Sequence, residues 1–193
     1  MDPTSAISIV DWLRVLLIYC HVGICAFAIT TVLKADFKIL LSDFCREDIG
    51  TDAKRISYLL AGLWISGLAI IYLDTGFSTE IMMTKSKLLL KLLCVLMLTL
   101  NGLMLHQVSF PVLTRASEAS DSEAVMLAVT GALSTSHWLL AAFIGMSAPL
   151  GQLPLHTLLQ GYSLFLGSTI LVSLTCVPLI NRVKSRAGPE TLA

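Results

Sequence analysis

The sequence predicts an all-α integral membrane protein, a single bundle of five transmembrane helices. Hydrophobic residues make up 55% of the 193 residues and charged residues only 13%, a composition that excludes an ordinary soluble domain. The mean hydropathy of +0.81 agrees with a membrane protein. The apolar residues are gathered in five long runs with short polar connections between them. Such runs are what a helix needs to cross a lipid bilayer.

Each run is close to or above the roughly 20 residues that a helical crossing requires. The predicted spans cover about residues 9–33, 56–73, 87–110, 124–148 and 153–180. The 34–55 connection mixes charged and apolar residues. Its first half is predicted to continue the first helix along the membrane surface, to a turn near Gly50. Pro149, Gly151 and Pro154 predict a tight turn between the last two spans.

Lysine and arginine are distributed unequally between the two sides of the predicted bundle. Nine of them lie in the 34–55 and 111–123 connections and in the C-terminal tail, against four on the other side. Because cytoplasmic segments carry the excess of Lys and Arg, the sequence predicts an N-terminus outside and a C-terminus in the cytoplasm. The net charge of zero gives no reason to expect a nucleic acid partner. The apolar composition instead predicts the lipid bilayer as the partner.

The third span carries a stripe of polar and small residues. Lys91, Val95, Thr99, Gly102 and His106 follow one another at steps of three or four residues, which places them on one face of a helix. Polar groups are costly in hydrocarbon and usually face protein or a cavity. This face is therefore predicted to point to the other helices.

Two histidines lie at matching depth and are the first candidates for a cofactor site. His21 and His137 each lie about ten residues from the same edge of the bilayer, whereas His106 lies roughly 15 Å further along. Paired histidines from two membrane helices are a common way to hold b-type haem. We therefore predict that His21 and His137 bind haem or a metal, with His106 as a further candidate metal ligand. The alternative is that each imidazole hydrogen-bonds a neighbouring helix and locks it in place.

Two basic residues accompany these histidines. Arg14 lies two turns before His21 on the same face of the first span, and Lys91 lies less than two turns into the third span. A cation at this depth suits an anionic group such as a haem or porphyrin propionate, so both residues are predicted to bind the cofactor. For Lys91 the alternative is that its ammonium snorkels to the membrane surface.

The first span ends in a motif that resembles a known group of proteins. His21 is followed by Asp36, Phe37, Lys38, Ile39 and Leu40, a match to D-[LF]-[RK]-[IL]-L. This stretch resembles the opening of a group of small bacterial membrane proteins. The arrangement is more distantly similar to HemJ-type protoporphyrinogen oxidases and to the copper-resistance D domain.

Members of those families have a His in helix one and a Lys in helix three that are associated with b-type haem or metal handling. His21 and Lys91 are the matching positions. The resemblance implies a protein of the bacterial cytoplasmic membrane that binds b-type haem, in electron transfer or in haem or porphyrin handling. A quinone or another membrane redox protein would be its partner.

Two other functions stay open. A transporter or channel for a small solute or metal would favour broken helices and acids within the membrane. Against it, the acids of the predicted spans, Asp11 and Asp74, lie at span ends. A non-catalytic assembly subunit is compatible with every feature. No nucleotide-binding glycine loop, zinc-protease motif or nucleophile elbow occurs, so the sequence predicts no particular enzyme class.

Overall fold

The computed structural model describes residues 8–40, 46–113 and 120–175. These residues are 94% helical and contain no strand, which confirms the all-α class. Five of the helices are long and apolar enough to cross a membrane. The helices are α1 (Ile9–Leu40), α2 (Arg46–Thr75), α3 (Thr79–Thr84), α4 (Ser86–Met104), α5 (Phe110–Leu113), α6 (Asp121–Met146) and α7 (Leu155–Thr175), with a π-helical turn at Leu105–Ser109 and a 3-10 turn at Ala148–Gln152.

α1 continues beyond residue 33 to Leu40, in agreement with the predicted helical continuation into the 34–55 connection. The second span is longer than predicted, because α2 already begins at Arg46 and Gly50 lies inside this helix. The predicted turn near Gly50 is therefore wrong. The reason is physical: Lys, Arg, Asp and Glu are tolerated at the ends of membrane helices, because their side chains reach the interface. Hydropathy consequently falls before the helix ends.

The last two spans agree with the prediction where the structure describes them. The 3-10 turn at Ala148–Gln152 joins α6 to α7, in the place where a tight turn is predicted. The predicted end of the fifth span at about residue 180, Arg115 and the basic residues of the tail lie outside the described residues.

A capping box formed by Ser120 and Glu123 marks the start of α6. The Ser120 hydroxyl accepts a hydrogen bond from the Glu123 N–H, and the Glu123 carboxylate accepts one from the Ser120 N–H. These bonds satisfy two donors that the first turn of a helix would otherwise leave without a partner.

The five spans alternate in direction. Arg14 near the start of α1 pairs with Asp74 at the end of α2, and Lys87 near the start of α4 donates to the Ser147 carbonyl just after α6. α1 packs along α2, α4 along α6 and α6 along α7, while α1 also contacts α6 and α4 contacts α7. We call the end of the bundle where α1 begins the Arg14 side, and the end where α1 finishes the Asp36 side.

Two apolar clusters hold these helices together. The first joins α1, α2, α4 and α6 through Ala28, Val32, Leu63, Leu98 and Trp138. The second joins α4, α6 and α7 through Leu90, Cys94, Ile144, Leu158 and Tyr162. Large apolar side chains elsewhere on the spans, such as Phe27, Ile65 and Leu164, are exposed. That exposure suits contact with lipid, since a membrane-spanning helix must present apolar groups to hydrocarbon.

Candidate functional site

His21 lies between α1 and α2, half-buried, and is hydrogen-bonded to Ser66. The distance from His21 Nδ1 to Ser66 Oγ is 2.8 Å, and the Ser66 hydroxyl itself donates to the Gly62 carbonyl at 2.7 Å. Because the Ser66 proton is used there, His21 Nδ1–H is the donor to Ser66 and His21 Nε2 carries the lone pair. A Cβ at Gly67 would lie 3.4 Å from His21 Cε1, so the imidazole packs directly over this glycine.

His137 lies between α6 and α7 and is only 2% exposed. Nδ1–H donates to the Leu133 carbonyl at 2.6 Å, since a carbonyl can only accept. Nε2 must then accept the hydroxyl hydrogen of Tyr162, whose oxygen lies 2.8 Å away. Both ring nitrogens of His137 are therefore engaged in hydrogen bonds within the protein.

Arg14 and Lys91 both lie towards the Arg14 side. Arg14 binds both carboxylate oxygens of Asp74, at 2.6 Å from Nε and 3.3 Å from Nη2. Lys91 is half-buried and has no hydrogen bond or salt bridge to any residue in the described part of the chain. Its ammonium is close enough to interact electrostatically with Asp74 and with His21.

The two predicted haem ligands, His21 and His137, are hydrogen-bonded to two different helices. His21 is bonded to α2 and His137 to α7, and an iron on His137 Nε2 would have to displace Tyr162. His106, the third candidate metal ligand, is bonded to Ser57 towards the Asp36 side. Across the described ranges, no three His, Cys, Asp or Glu side chains come close enough together to hold a metal ion.

A large cavity lies towards the Asp36 side of the bundle, and we call it the Asp36-side cavity. Its volume is about 920 Å³, and residues of α1, α2, α4, α6 and α7 line it. This volume falls in the range of about 300–1,000 Å³ that is typical of sites for small molecules and cofactors. Most of the walls are apolar, and no lysine or arginine is among the described residues that line it.

Asp36 is the carboxylate that lines this cavity. It lies near the end of the first span, and the Thr135 hydroxyl of α6 donates a hydrogen bond to its Oδ2. From the sequence, Asp36 was expected in a surface connection and was not among the predicted site residues. A signal was present: Asp36 opens the motif that ends the first span, and Ser134, Thr135 and Ser136 give α6 three hydroxyls in a row.

His106 reaches the same cavity from the π-helical turn that follows α4. Its Nε2 lies 3.0 Å from Ser57 Oγ, and the Ser57 hydroxyl donates to the Ala53 carbonyl. His106 Nε2–H is therefore the donor, and Nδ1 carries the lone pair. π-helical turns within α-helices occur frequently at functional sites. The polar stripe predicted on the third span thus does face a cavity, at Thr99, Gly102 and His106.

Two tryptophans belong to the cavity wall. Trp64 of α2 donates through Nε1–H to the Thr99 hydroxyl of α4 at 3.0 Å, and this bond joins the two helices across the cavity edge. Trp138 of α6 lines the cavity and is 2% exposed. Trp12, by contrast, lies near the start of α1 with 63% of its surface exposed. The cavity therefore contains intrinsic fluorophores, whereas Trp12 lies outside it.

No protein family, characterised protein or solved structure gives a significant match to this chain. The resemblance to HemJ-type and copper-resistance D proteins therefore stays an expectation from a few positions. The described residues give this cavity one carboxylate, one imidazole and several hydroxyls in a mostly apolar wall.

Proposed function

We propose that this multi-pass membrane protein binds a lipid-soluble small molecule in the Asp36-side cavity, as a carrier or receptor for that molecule. The observation that carries the proposal is the cavity of about 920 Å³ between five helices. An apolar pocket with a few polar groups is the usual form of a small-molecule site. Asp36, Ser57, His106 and Thr135 supply those groups. A molecule that fits has an apolar body and one polar end.

Small residues at the wall support this proposal. Gly102 and Gly131 both line the cavity, and a Cβ on either would meet no atom within 4 Å. These two small residues therefore leave space open at the cavity wall.

The experiment uses Trp138 as a reporter, in protein reconstituted into nanodiscs and carrying W12F and W64F. A brominated phospholipid should leave Trp138 fluorescence unchanged, because this side chain is 2% exposed. A brominated long-chain alcohol and a short-chain quinone should quench it in a saturable way if they enter the cavity.

Two matched variants of α6 sharpen this test. Gly131→Leu places a side chain in the cavity and should abolish the saturable quenching. Gly145→Leu is the control, because Gly145 is exposed, does not line the cavity, and a Cβ added there would meet no atom within 4 Å. Trp138 fluorescence that no probe changes, or that changes equally in both variants, would refute ligand entry.

Haem binding is a second candidate, and one observation favours it. His21 Nε2 carries a lone pair that no described residue occupies, with Lys91 close by. The chain would then hold b-type haem through His21 and an unidentified second ligand, with the ammonium beside a propionate. The visible spectrum of the purified protein distinguishes this candidate from the first.

The cellular setting is also a proposal. We infer from the Lys and Arg distribution that the chain lies in a bacterial cytoplasmic membrane with its Asp36 side towards the cytoplasm. In that orientation the cavity lies in the inner half of the bilayer.

A further inference from the structure

We propose that the ligand of the Asp36-side cavity is an amphipathic organic cation whose charged group binds the Asp36 carboxylate. This inference rests on the proposed function, because it names the ligand class of the same cavity. Its supports are the hydrogen bonding of Asp36, the charges around it and the aromatic side chains of the cavity wall.

The Asp36 carboxylate has one oxygen available. Thr135 donates to Oδ2, whereas Oδ1 accepts no hydrogen bond from the described residues. In the described part of the chain, no side-chain oxygen or nitrogen that is completely buried lacks a partner. Oδ1 is therefore accessible, and Asp36 lines the cavity. A ligand in the cavity can reach this oxygen.

No cationic side chain of the described residues neutralises this carboxylate. Lys34 and Lys38 lie two residues before and after Asp36, and residues two apart on a helix do not face each other. Lys38 instead pairs with Asp52, with 3.6 Å between Nζ and Oδ2. Asp36 faces a cavity whose wall is mostly apolar, and a charge without a partner is costly in such surroundings. A ligand cation would supply the missing charge.

Aromatic side chains make the cavity suited to an organic cation in particular. Trp64, Trp138 and Phe110 line it together with Asp36. Cations are attracted to the faces of aromatic rings, most strongly to tryptophan, and a dry site strengthens that attraction. A metal ion would need more ligands than Asp36 and His106 provide. An anion would find a carboxylate and no basic side chain among the described lining residues.

The test compares three probes that share their phenyl groups and differ in charge. Tetraphenylphosphonium is a cation, tetraphenylborate is an anion of nearly the same shape, and triphenylphosphine oxide is neutral. Binding to the full chain in nanodiscs is measured by calorimetry, with empty nanodiscs subtracted. The cation should bind at least about tenfold more tightly than either other probe, the effect expected of one ion pair near a protein surface. Equal affinity for the cation and the anion would overturn the proposal.

Variants then assign the charge preference to Asp36. Asp36→Asn should lose the preference for the cation and keep the affinity for the neutral probe, whereas Asp36→Glu should keep the preference. Asp121→Asn is the control, because Asp121 lies exposed at the start of α6, on the same side but outside the cavity. Circular dichroism and gel filtration verify that each variant is folded. If Asp36→Asn does not fold, the comparison of the cation with the anion on the unmodified chain still decides.

The outcomes separate this inference from the proposed function. One outcome is that the neutral probe binds, that Gly131→Leu blocks its binding, and that Asp36→Asn binds the cation as tightly as the unmodified chain. The cavity is then a ligand site, but the cation inference is wrong. If no probe binds at all, the proposed function fails with it. A preference for tetraphenylborate would also contradict the inference.

Discussion

Removing the Tyr162 hydroxyl should destabilise the protein by about 1.5 kcal/mol. The change Tyr162→Phe deletes one oxygen, which lies 2.8 Å from His137 Nε2. Hydrogen bonds between membrane helices average about 0.6 kcal/mol and reach about 1.7 kcal/mol. His137 is only 2% exposed, so water cannot replace the lost donor. An acceptor left buried without a partner costs about 1–3 kcal/mol, which moves the expectation to the upper part of the range.

The assay is equilibrium unfolding in mixed micelles of increasing SDS content, followed by circular dichroism. Tyr58→Phe is the matched control, because Tyr58 is 78% exposed, and it should change the free energy of unfolding by less than about 0.5 kcal/mol. A double-mutant cycle with His137→Leu should give a coupling of about 1 kcal/mol. If Tyr162→Phe costs no more than Tyr58→Phe, the reasoning about the buried imidazole is refuted.

Two further predictions concern haem and orientation. If haem is bound, the purified protein shows a Soret band that sharpens on reduction. His21→Ala abolishes the band, whereas His156→Ala, a change at an exposed histidine, leaves it. A colourless protein expressed with ample haem contradicts haem binding. A reporter that is active only in the cytoplasm, fused after Ala193, should be active, and the same reporter fused before Met1 should be inactive; the reverse pattern would overturn the N-out orientation.

The number of spans and the continuation of the first helix past residue 33 could be predicted from the sequence, but the start of α2 could not. Five apolar runs of about 20 residues leave little choice, because lipid requires closed hydrogen bonding along each crossing. As predicted, the first helix does not end at residue 33, and α1 continues through Lys34, Asp36 and Lys38. Charged residues lower the hydropathy there without breaking the helix, because neither Pro nor Gly intervenes. For the same reason Asp11 and Asp74 are not the only acids of the spans, since Asp36 lies within the first one.

The sequence predicts which face of a single helix is buried, but it does not predict which residues of other helices that face contacts. The small and polar face around His137 indicates burial, and His137 is buried. The same face cannot indicate which helix covers it, and the partner is Tyr162, a residue outside the predicted site. In the same way, the matching depth of His21 and His137 does not determine which helix each imidazole faces, and they are bonded to α2 and α7. Depth follows from counting residues, whereas direction around the helix axis depends on packing between helices.

The polar side chains of the bundle differ in whether their donor and acceptor atoms have hydrogen-bond partners within the protein. Asn101 of α4 donates to the Thr130 carbonyl at 2.9 Å, and Ser109 of the π-helical turn lies 3.0 Å from the Thr130 hydroxyl, so these buried groups join the third span to α6. His137 is bonded at both nitrogens in the same way. Asp36 keeps a free oxygen beside a cavity. Since an unpaired charge in a membrane span is costly, selection for stability alone would favour replacing it by an apolar residue. The cationic ligand that we propose would offset this cost by binding the free oxygen of Asp36.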